Sequence, residues 1–144
     1  MTVRPLAAQD SAAALVLYRH LAGDGAVADA AMFETLVAHS GTTVFGAFVA
    51  DDLAAITTLH VLPNMTQGGR PYALVENVVS HSAHRGTGQG RKVVQAVIDA
   101  AWDANCYKIM LLTGQTAEAR GFYEKLGFGA DEKWGMTIRR VPVR

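Results

Sequence analysis

The spacing of apolar residues divides the chain into predicted helices and strands. Two helices are predicted early, one that carries Leu15 to Leu17 and a second from about Asp29 to His39. Either Asp10 or Ser11 can cap the first helix, and Gly23 ends it. A short strand from Thr2 to Leu6 is predicted before them. The first forty residues therefore have the pattern β-α-α.

From residue 43 the pattern is mainly that of strands, interrupted by one long amphipathic helix. Strands are predicted over residues 43–49, 53–62 and 72–80. Apolar residues at helical spacing follow, at Val93, Val94, Val97, Ile98, Ala101 and Trp102. The last predicted elements are a strand over 107–112 that is buried on both faces, a helix from Ala117 to Leu126 and a strand from Trp134 to Val141. The expected order is β-α-α-β-β-β-α-β-α-β, in one compact α+β domain of residues 1–144.

Composition narrows the class of protein without identifying an activity. The chain has 144 residues, of which 50% are hydrophobic, and thirteen basic side chains balance thirteen acidic ones. Overall charge therefore gives no reason to expect a nucleic acid or a membrane surface as partner. Cys106 is the only cysteine, so no intramolecular disulfide can form, and a reducing compartment is expected. Without a long apolar run or a signal-peptide pattern, we expect a cytoplasmic protein.

A glycine-rich loop lies between the strand that ends near Ser80 and the long helix. Its core is the hexapeptide Arg85-Gly86-Thr87-Gly88-Gln89-Gly90, followed by Arg91. Glycines let the backbone turn tightly, and the N–H groups that begin a helix attract anions. The loop does not fit the dinucleotide pattern G-x-G-x-x-G or the P-loop pattern, because position six is Arg91 or Val93 and no Gly-Lys pair follows. The context favours a pyrophosphate site, although the hexapeptide alone is also typical of a solvated turn.

The pattern R-x-x-G-x-G resembles the acetyl-coenzyme A pyrophosphate loop of the GNAT superfamily of N-acetyltransferases. Three further segments resemble that superfamily in the same order: Glu76-Asn77-Val78-Val79, Cys106-Tyr107-Lys108-Ile109 and Phe122-Tyr123-Glu124-Lys125-Leu126-Gly127-Phe128. The resemblance covers roughly the C-terminal half of the chain. It implies a three-layer α/β/α fold with a mixed, mostly antiparallel central sheet, and acetyl-CoA as cosubstrate.

Within the superfamily, residues 75–139 look most like the glucosamine-6-phosphate N-acetyltransferase branch. The likeness lies in Asn105-Cys106-Tyr107-Lys108-Ile109 and in Met136-Thr137-Ile138-Arg139. Two positions differ from that branch. This chain has Glu76-Asn77 where the branch has an acidic pair, and Leu112-Thr113-Gly114 where the branch has an acidic residue. The acceptor amine is therefore left open.

The resemblance also implies roles for individual residues. The loop residues Arg85, Gly86, Thr87, Gly88, Gln89, Gly90 and Arg91 are expected to bind the cofactor, as are Phe122 and Lys125. Val78 and Val79 would present backbone groups to the pantetheine arm, and an N–H there would face the thioester oxygen. Tyr123 would protonate the departing thiolate, whereas a tyrosine beside Phe122 without this motif would more often be a packing residue.

The base that deprotonates the acceptor amine is less clearly indicated. Glu76 is the best candidate, because it lies on the strand beside the cofactor, yet a solvated or salt-bridged glutamate fits the same position. His60, His81 and His84 are weaker candidates, and the five histidines with Cys106 lack metal-ligand spacing, so no metal is expected. We interpret Cys106 as a small core residue in preference to an acyl carrier. Candidate contacts for an anionic acceptor group are Arg70, Lys108, Arg139 and Arg140.

Three functions remain open on the sequence. The first is acetyl transfer to a small-molecule amine such as an amino sugar phosphate. The second is acetyl transfer to protein N-termini or lysines, and the third is a coenzyme A-binding module without catalysis. The resemblance implies a homodimer, since the superfamily often pairs through its C-terminal strands, and Trp134, Met136 and Ile138 offer an apolar stripe at period two for such pairing. The same stripe could instead cover the core of the protein itself.

Overall fold

The computed structural model describes residues 2–142, within which the sheet has five strands and is flanked by helices. The elements are β1 Thr2–Pro5, α1 Ser11–Ala22, α2 Ala30–Ala38, β2 Thr42–Val49, β3 Asp52–Leu62, β4 Tyr72–Ser80, α3 Gln89–Asp103, β5 Ile109–Met110 and α4 Ala117–Glu124. The sheet order is β1-β2-β3-β4-β5. All neighbouring strands are antiparallel except β4 and β5, which are parallel. The expected mixed, mostly antiparallel sheet is confirmed.

The two faces of the sheet belong to two separate apolar cores. Adjacent residues of a strand point to opposite faces. Thus Val44 packs into the core that includes Leu17 of α1 and Phe33 of α2, whereas Phe45 packs against the core that includes Val97 of α3. Helices α1 and α2 therefore cover one face and α3 covers the other, which confirms the three-layer arrangement.

The helix ends follow local signals in the sequence. The carboxylate of Asp29 accepts a hydrogen bond from the N–H of Met32 at 3.0 Å and so caps α2. Asp10 occupies the N-cap position of α1, but its carboxylate does not cap that helix. It pairs instead with both terminal nitrogens of Arg4 at 2.9 Å and accepts from the N–H of Ala7. The hydrogen bonds from Arg4 hold the pKa of Asp10 below its usual value.

The chain divides into two compact units, the first ending at Leu111 and the second beginning at Leu112. The first contains the sheet and helices α1 to α3, and the second contains α4. The expected single domain stays a prediction. No helix within residues 2–142 is long and apolar enough to cross a membrane.

Two predicted strands differ from the structure. The run over residues 107–112 forms only the short β5, which pairs with β4 at Ala73 and Leu74. Its side chains are half-buried, and Leu112 is 61% exposed, so the prediction of a strand buried on both faces was wrong. The segment from Trp134 to Val141 forms no strand at all. A strand is stable only against a partner, and this segment has none in the described part of the chain.

Candidate active site

A β-bulge interrupts β4 at the predicted catalytic strand. Thr58 is paired with Glu76 and Ile56 with Val79, so Thr57 lies opposite two residues of β4. Asn77 takes up the extra residue with φ of 55°, a left-handed conformation that asparagine tolerates better than most residues. The hydroxyl of Thr57 donates to the carbonyl oxygen of Glu76 at 3.3 Å.

The bulge changes which side chains of β4 face which core. Val75 and Val78 both pack on the α3 side, although they are three residues apart, and Val79 packs on the side of α1 and α2. The backbone at Val78 and Val79 is therefore turned relative to the first half of the strand. Such local twisting is a common way to direct backbone groups at a ligand.

On the side that faces β5, strand β4 is paired only near its beginning. The pairing of β4 with β5 ends at Leu74, and β4 continues to Ser80. Within residues 2–142, no strand pairs with the second half of β4 on that edge. Free N–H and C=O groups at a sheet edge can bind an extended ligand by main-chain hydrogen bonds. Val78 and Val79 lie in this free stretch, as the predicted pantetheine contact requires.

The glycine loop leads directly into α3. Gly86 and Gly88 have φ of 75° and 83°, which favours glycine, and a Cβ at either would meet no atom within 4 Å. The first helical hydrogen bond runs from the N–H of Lys92 to the carbonyl oxygen of Gly88 at 3.1 Å. The N–H groups of Gln89, Gly90 and Arg91 therefore have no intrahelical acceptor. These N–H groups lie at the N-terminus of a 15-residue helix, a position that favours anions.

The polar side chains of the loop have different environments. Arg85 and Arg91 are exposed, as suits residues that would meet phosphates. Thr87 is held within the turn by a hydrogen bond from its hydroxyl to the carbonyl oxygen of His84 at 2.5 Å. Gln89 is buried, its amide nitrogen donates to the carbonyl oxygen of Thr87 at 3.3 Å, and its Oε1 has no hydrogen-bond partner among the described residues. Gln89 thus stabilises the loop conformation and leaves one unpaired acceptor.

Glu76 lies on the face of the sheet covered by α1 and α2. It is paired with Thr58, which is two residues from Ile56 of that core, so all three side chains share a face. The Glu76 side chain is exposed, and no salt bridge or hydrogen bond to it is present in the part of the chain that is described. A free, exposed carboxylate on the bulged strand is available to accept a proton.

In the second unit, Tyr123 is fixed between two aromatic rings on α4. Its ring makes edge contacts with Phe122 and Phe128, with centroids 4.9 and 5.9 Å apart. Gly127, with φ of 100°, ends the helix, and the N–H of Phe128 donates to the carbonyl oxygen of Tyr123 at 3.1 Å. Partial burial raises the pKa of the Tyr123 phenol, which favours the protonated form that an acid needs. Lys125 is exposed.

Other predicted candidates have mainly structural contacts. Cys106 is fully buried in the core beneath α3, and burial raises the pKa of its thiol, so it fits a packing residue and not a nucleophile. The guanidinium of Arg70 donates to the backbone carbonyls of Asn105 and Cys106 at 3.2 and 3.3 Å. The ammonium of Lys108 lies over the rings of Tyr72 and Tyr107. Arg139 and Arg140 are exposed.

The structure brings histidines together that the sequence pattern did not connect. His20 of α1 lies against His81, with ring centroids 4.6 Å apart, and its Nε2 is 3.0 Å from the hydroxyl of Ser82. His39 and His60 both contact the hydroxyl of Thr42. No three His, Cys, Asp or Glu side chains within residues 2–142 are grouped to hold a metal ion. The contacts of His20 with His81 and of Thr42 with His60 are long-range, so the sequence pattern gave no signal for them.

The bulged strand with a free edge leads through a glycine loop into the N-terminus of α3. The profile of the acetyltransferase (GNAT) family matches residues 14–128. The chain belongs to this family, and the sequence-based identification is confirmed.

Three similar proteins show how far the likeness extends. Glucosamine 6-phosphate N-acetyltransferase of Trypanosoma brucei brucei is 34% identical over 76 residues, which are 53% of this chain and 50% of that protein. A solved structure from Agrobacterium tumefaciens strain C58, itself only provisionally described as an acetyltransferase, is 39% identical with a TM-score of 0.88, covering 97% of this chain and 100% of that one. The Arabidopsis thaliana glucosamine-6-phosphate N-acetyltransferase structure has 23% identity and a TM-score of 0.81, covering 97% and 98%, and so shows the fold. The chain spans about half the length, or less, of the curated relatives it matches.

Proposed function

We propose that this protein transfers the acetyl group of acetyl-CoA to a primary amine of a small molecule, with amino sugar phosphates as the first class to test. The observation that carries the proposal is the continuity of β4 and the glycine loop. A bulged strand with a free edge leads through Ser80 and the loop into the N-terminus of α3. This order matches the order of groups in acetyl-CoA, with the thioester and pantetheine along the strand and the pyrophosphate at the helix.

The cofactor contacts follow from that order. Acetyl-CoA, when bound, supplies the activated acetyl thioester. The N–H groups at the start of α3, together with exposed Arg85 and Arg91, would hold the pyrophosphate. The bulge at Asn77 turns the backbone at Val78 and Val79, so that an N–H can donate to the thioester oxygen as negative charge develops on it.

Glu76 and Tyr123 are the proposed proton-transfer groups. An alkyl ammonium with a reference pKa near ~10 must lose a proton before it can attack the thioester carbonyl. Exposed Glu76 would take that proton directly or through a water molecule. Nitrogen then bonds to the acetyl carbon, the carbon–sulfur bond breaks, and the thiolate receives the proton of the Tyr123 phenol. The second proton that the nitrogen loses returns through water to the Tyr123 phenolate. The buried thiol of Cys106 supports direct transfer without an acyl-enzyme.

The choice of an amino sugar phosphate rests on the named relatives and on local cations. Three curated relatives are named as glucosamine 6-phosphate N-acetyltransferases, one of them as a probable one. Lys108, close to the start of β4, is half-buried beside two tyrosine rings, where a cation can meet an anionic acceptor group. Asn77 and the segment Leu112-Thr113-Gly114 lack the carboxylates of that branch, and this difference motivates a panel of acceptors.

The test is thiol release from acetyl-CoA across a panel of amines. Glucosamine 6-phosphate, glucosamine, a polyamine and peptides with free N-termini or lysines are compared at equal concentration. We expect the amino sugar phosphate to give the highest kcat/KM, and glucosamine without its phosphate to have a higher KM. Preference for peptides would favour the protein acetyltransferase function. Tight acetyl-CoA binding without turnover on any amine would favour the non-catalytic module and contradict the proposal.

The remaining partner expectations are also proposals. We propose a homodimer that forms through the apolar stripe of Trp134, Met136 and Ile138, whose side chains are 91%, 90% and 101% exposed. Exposed apolar side chains at period two are typical of an association surface. A cytoplasmic location and the absence of nucleic-acid and membrane partners stay predictions.

A further inference from the structure

The buried side chain of Gln89 lies at the point where the glycine loop enters α3. The other buried residues of this helix are apolar, namely Val93, Val94, Val97, Ile98 and Ala101. Gln89 is 6% exposed, and its Oε1 atom has no hydrogen-bond partner within residues 2–142. A buried acceptor without a partner costs stability that an apolar side chain of the same length would not cost. Any benefit of a glutamine at this position must therefore come from its amide nitrogen.

The amide nitrogen of Gln89 donates to the carbonyl oxygen of Thr87 at 3.3 Å. In the described part of the chain, no other hydrogen bond reaches this oxygen. The preceding turn differs, because the carbonyl oxygen of His84 accepts from both the N–H and the hydroxyl of Thr87. The carbonyl of Thr87 thus depends on one side chain for its direction.

The direction of that carbonyl determines the direction of the next N–H group. In a trans peptide, the C=O and N–H bonds point in opposite directions. Because the carbonyl of Thr87 is turned towards the buried amide of Gln89, the N–H of Gly88 points away from that amide, and it donates to no acceptor within residues 2–142. Gly88 does not fix the peptide by itself, since glycine adopts positive φ, here 83°, about as readily as negative φ. The Gln89 side chain therefore selects one of two peptide orientations.

The two orientations differ in the group that they present to a phosphate. In the observed orientation, the N–H of Gly88 adds a donor next to the first N–H groups of α3, which have no intrahelical acceptor. Successive N–H groups of this kind attract anions. In the reversed orientation, the carbonyl oxygen of Thr87 would take the place of that N–H, and its partial negative charge would repel an anion.

We propose that Gln89 is a positioning residue for acetyl-CoA, which holds the Thr87–Gly88 peptide with its N–H directed at the pyrophosphate. The inference rests on the proposed acetyl-CoA site and concerns one peptide within it. Gln89 acts through the backbone of Gly88, since its own amide is buried. Without that amide, the loop divides between both orientations, and the apparent affinity for acetyl-CoA falls in proportion to the fraction that remains competent.

The test uses Gln89→Met, which removes the amide and keeps an unbranched side chain of similar length. Because it also removes the unpaired acceptor, it should melt at the same temperature as wild type or higher. The matched control is Gln95→Met, the same change on the exposed side of α3, where the amide donates to the carboxylate of Asp99. Each protein is compared by its melting temperature and by calorimetry with acetyl-CoA. Thiol release then gives KM and kcat with acetyl-CoA and with S-acetylpantetheine, which has the same thioester but no phosphate.

We expect Gln89→Met to weaken acetyl-CoA binding and to raise the KM for acetyl-CoA by about 5-fold, the scale of one hydrogen bond. Its kcat at saturating acetyl-CoA and its KM for S-acetylpantetheine should match wild type, and Gln95→Met should match wild type in every measurement.

Three results would overturn the positioning role of Gln89. They are unchanged acetyl-CoA affinity in Gln89→Met, an equal rise of KM for both thioesters, and a melting temperature below that of Gln95→Met, which would assign the side chain to packing. A wild type that binds acetyl-CoA but acetylates no amine would overturn the proposed function alone, and calorimetry on Gln89→Met would then decide the positioning role. A wild type that does not bind acetyl-CoA would overturn both.

Discussion

At the scale of single residues, the proposed chemistry depends most on the phenol of Tyr123. Its ring is held by Phe122 and Phe128, and burial raises its pKa, so the group stays protonated at neutral pH. A phenol of raised pKa is a weaker acid, but a thiolate is basic enough to take its proton at the end of the reaction. The same burial that fixes the ring therefore keeps the proton available.

Tyr123→Phe separates this catalytic role from a packing role. The ring and its aromatic contacts are kept, so stability and acetyl-CoA affinity should change little. Turnover should fall by roughly 10²-fold, the usual scale for one general acid. Calorimetry measures the affinity, and thiol release measures kcat. Intact turnover in Tyr123→Phe would remove Tyr123 from the mechanism.

Local signals in the sequence predicted the backbone conformation of the glycine loop, but not the contacts that depend on long-range pairing. The glycines were recognisable because positive φ and helix starts have sequence signatures. Asn77 carried a usable signal as well, because asparagine is depleted within strands and tolerates the left-handed region. The contact between Thr42 and His60 had none, since these residues are 18 positions apart and meet through the register of β2 and β3.

At the scale of elements, helices were predicted closely and edge strands poorly, for a physical reason. α3 has its own apolar period, an N-terminal glycine and local hydrogen bonds, so its sequence nearly defines it. A strand depends on a partner that the sequence does not specify. The strand predicted over 107–112 was therefore longer than the observed β5. Residues 134–141 were predicted to form a strand, but they have no partner strand in the described part of the chain.

The glycine loop is tested best by comparing two glycines of similar backbone conformation. Gly88 has φ of 83° and precedes α3, whereas Gly68 has φ of 68° and lies in the loop before β4. A valine at either position meets no protein atom within 4 Å of its Cβ but adopts a left-handed conformation that costs roughly 1–2 kcal/mol. Both variants should therefore melt at lower temperature than wild type.

Only Gly88→Val should also lose its response to acetyl-CoA, because its side chain occupies the space proposed for the pyrophosphate. Gly68→Val should keep the full thermal shift on addition of acetyl-CoA. Differential scanning fluorimetry with and without acetyl-CoA makes the comparison, and Gly90→Val provides a second loop variant. Equal shifts in wild type, Gly88→Val and Gly68→Val would show that the loop does not bind the pyrophosphate.

At the scale of the whole molecule, the exposed apolar stripe formed by Trp134, Met136 and Ile138 has no structural role within the described part of one chain that accounts for it. Trp134, Met136 and Ile138 are almost fully exposed, although each is apolar. The alternative, that the stripe covers a core of the same chain, stays open. A segment without a strand partner that carries apolar side chains at period two is suited to pairing with a second copy.

We therefore expect the protein to be a dimer at micromolar concentration and Ile138→Lys to shift it towards the monomer. A lysine in the centre of an apolar interface must lose its hydration without gaining a partner, which weakens association. Thr137→Lys adds the same charge between two residues of the stripe without replacing an apolar side chain, and should leave the dimer intact. Sedimentation velocity over a concentration series measures the change, with melting temperature as a check on folding. A wild-type protein that sediments as a monomer across that range would contradict the dimer. Equal dissociation of both variants would show that the interface does not depend on the stripe.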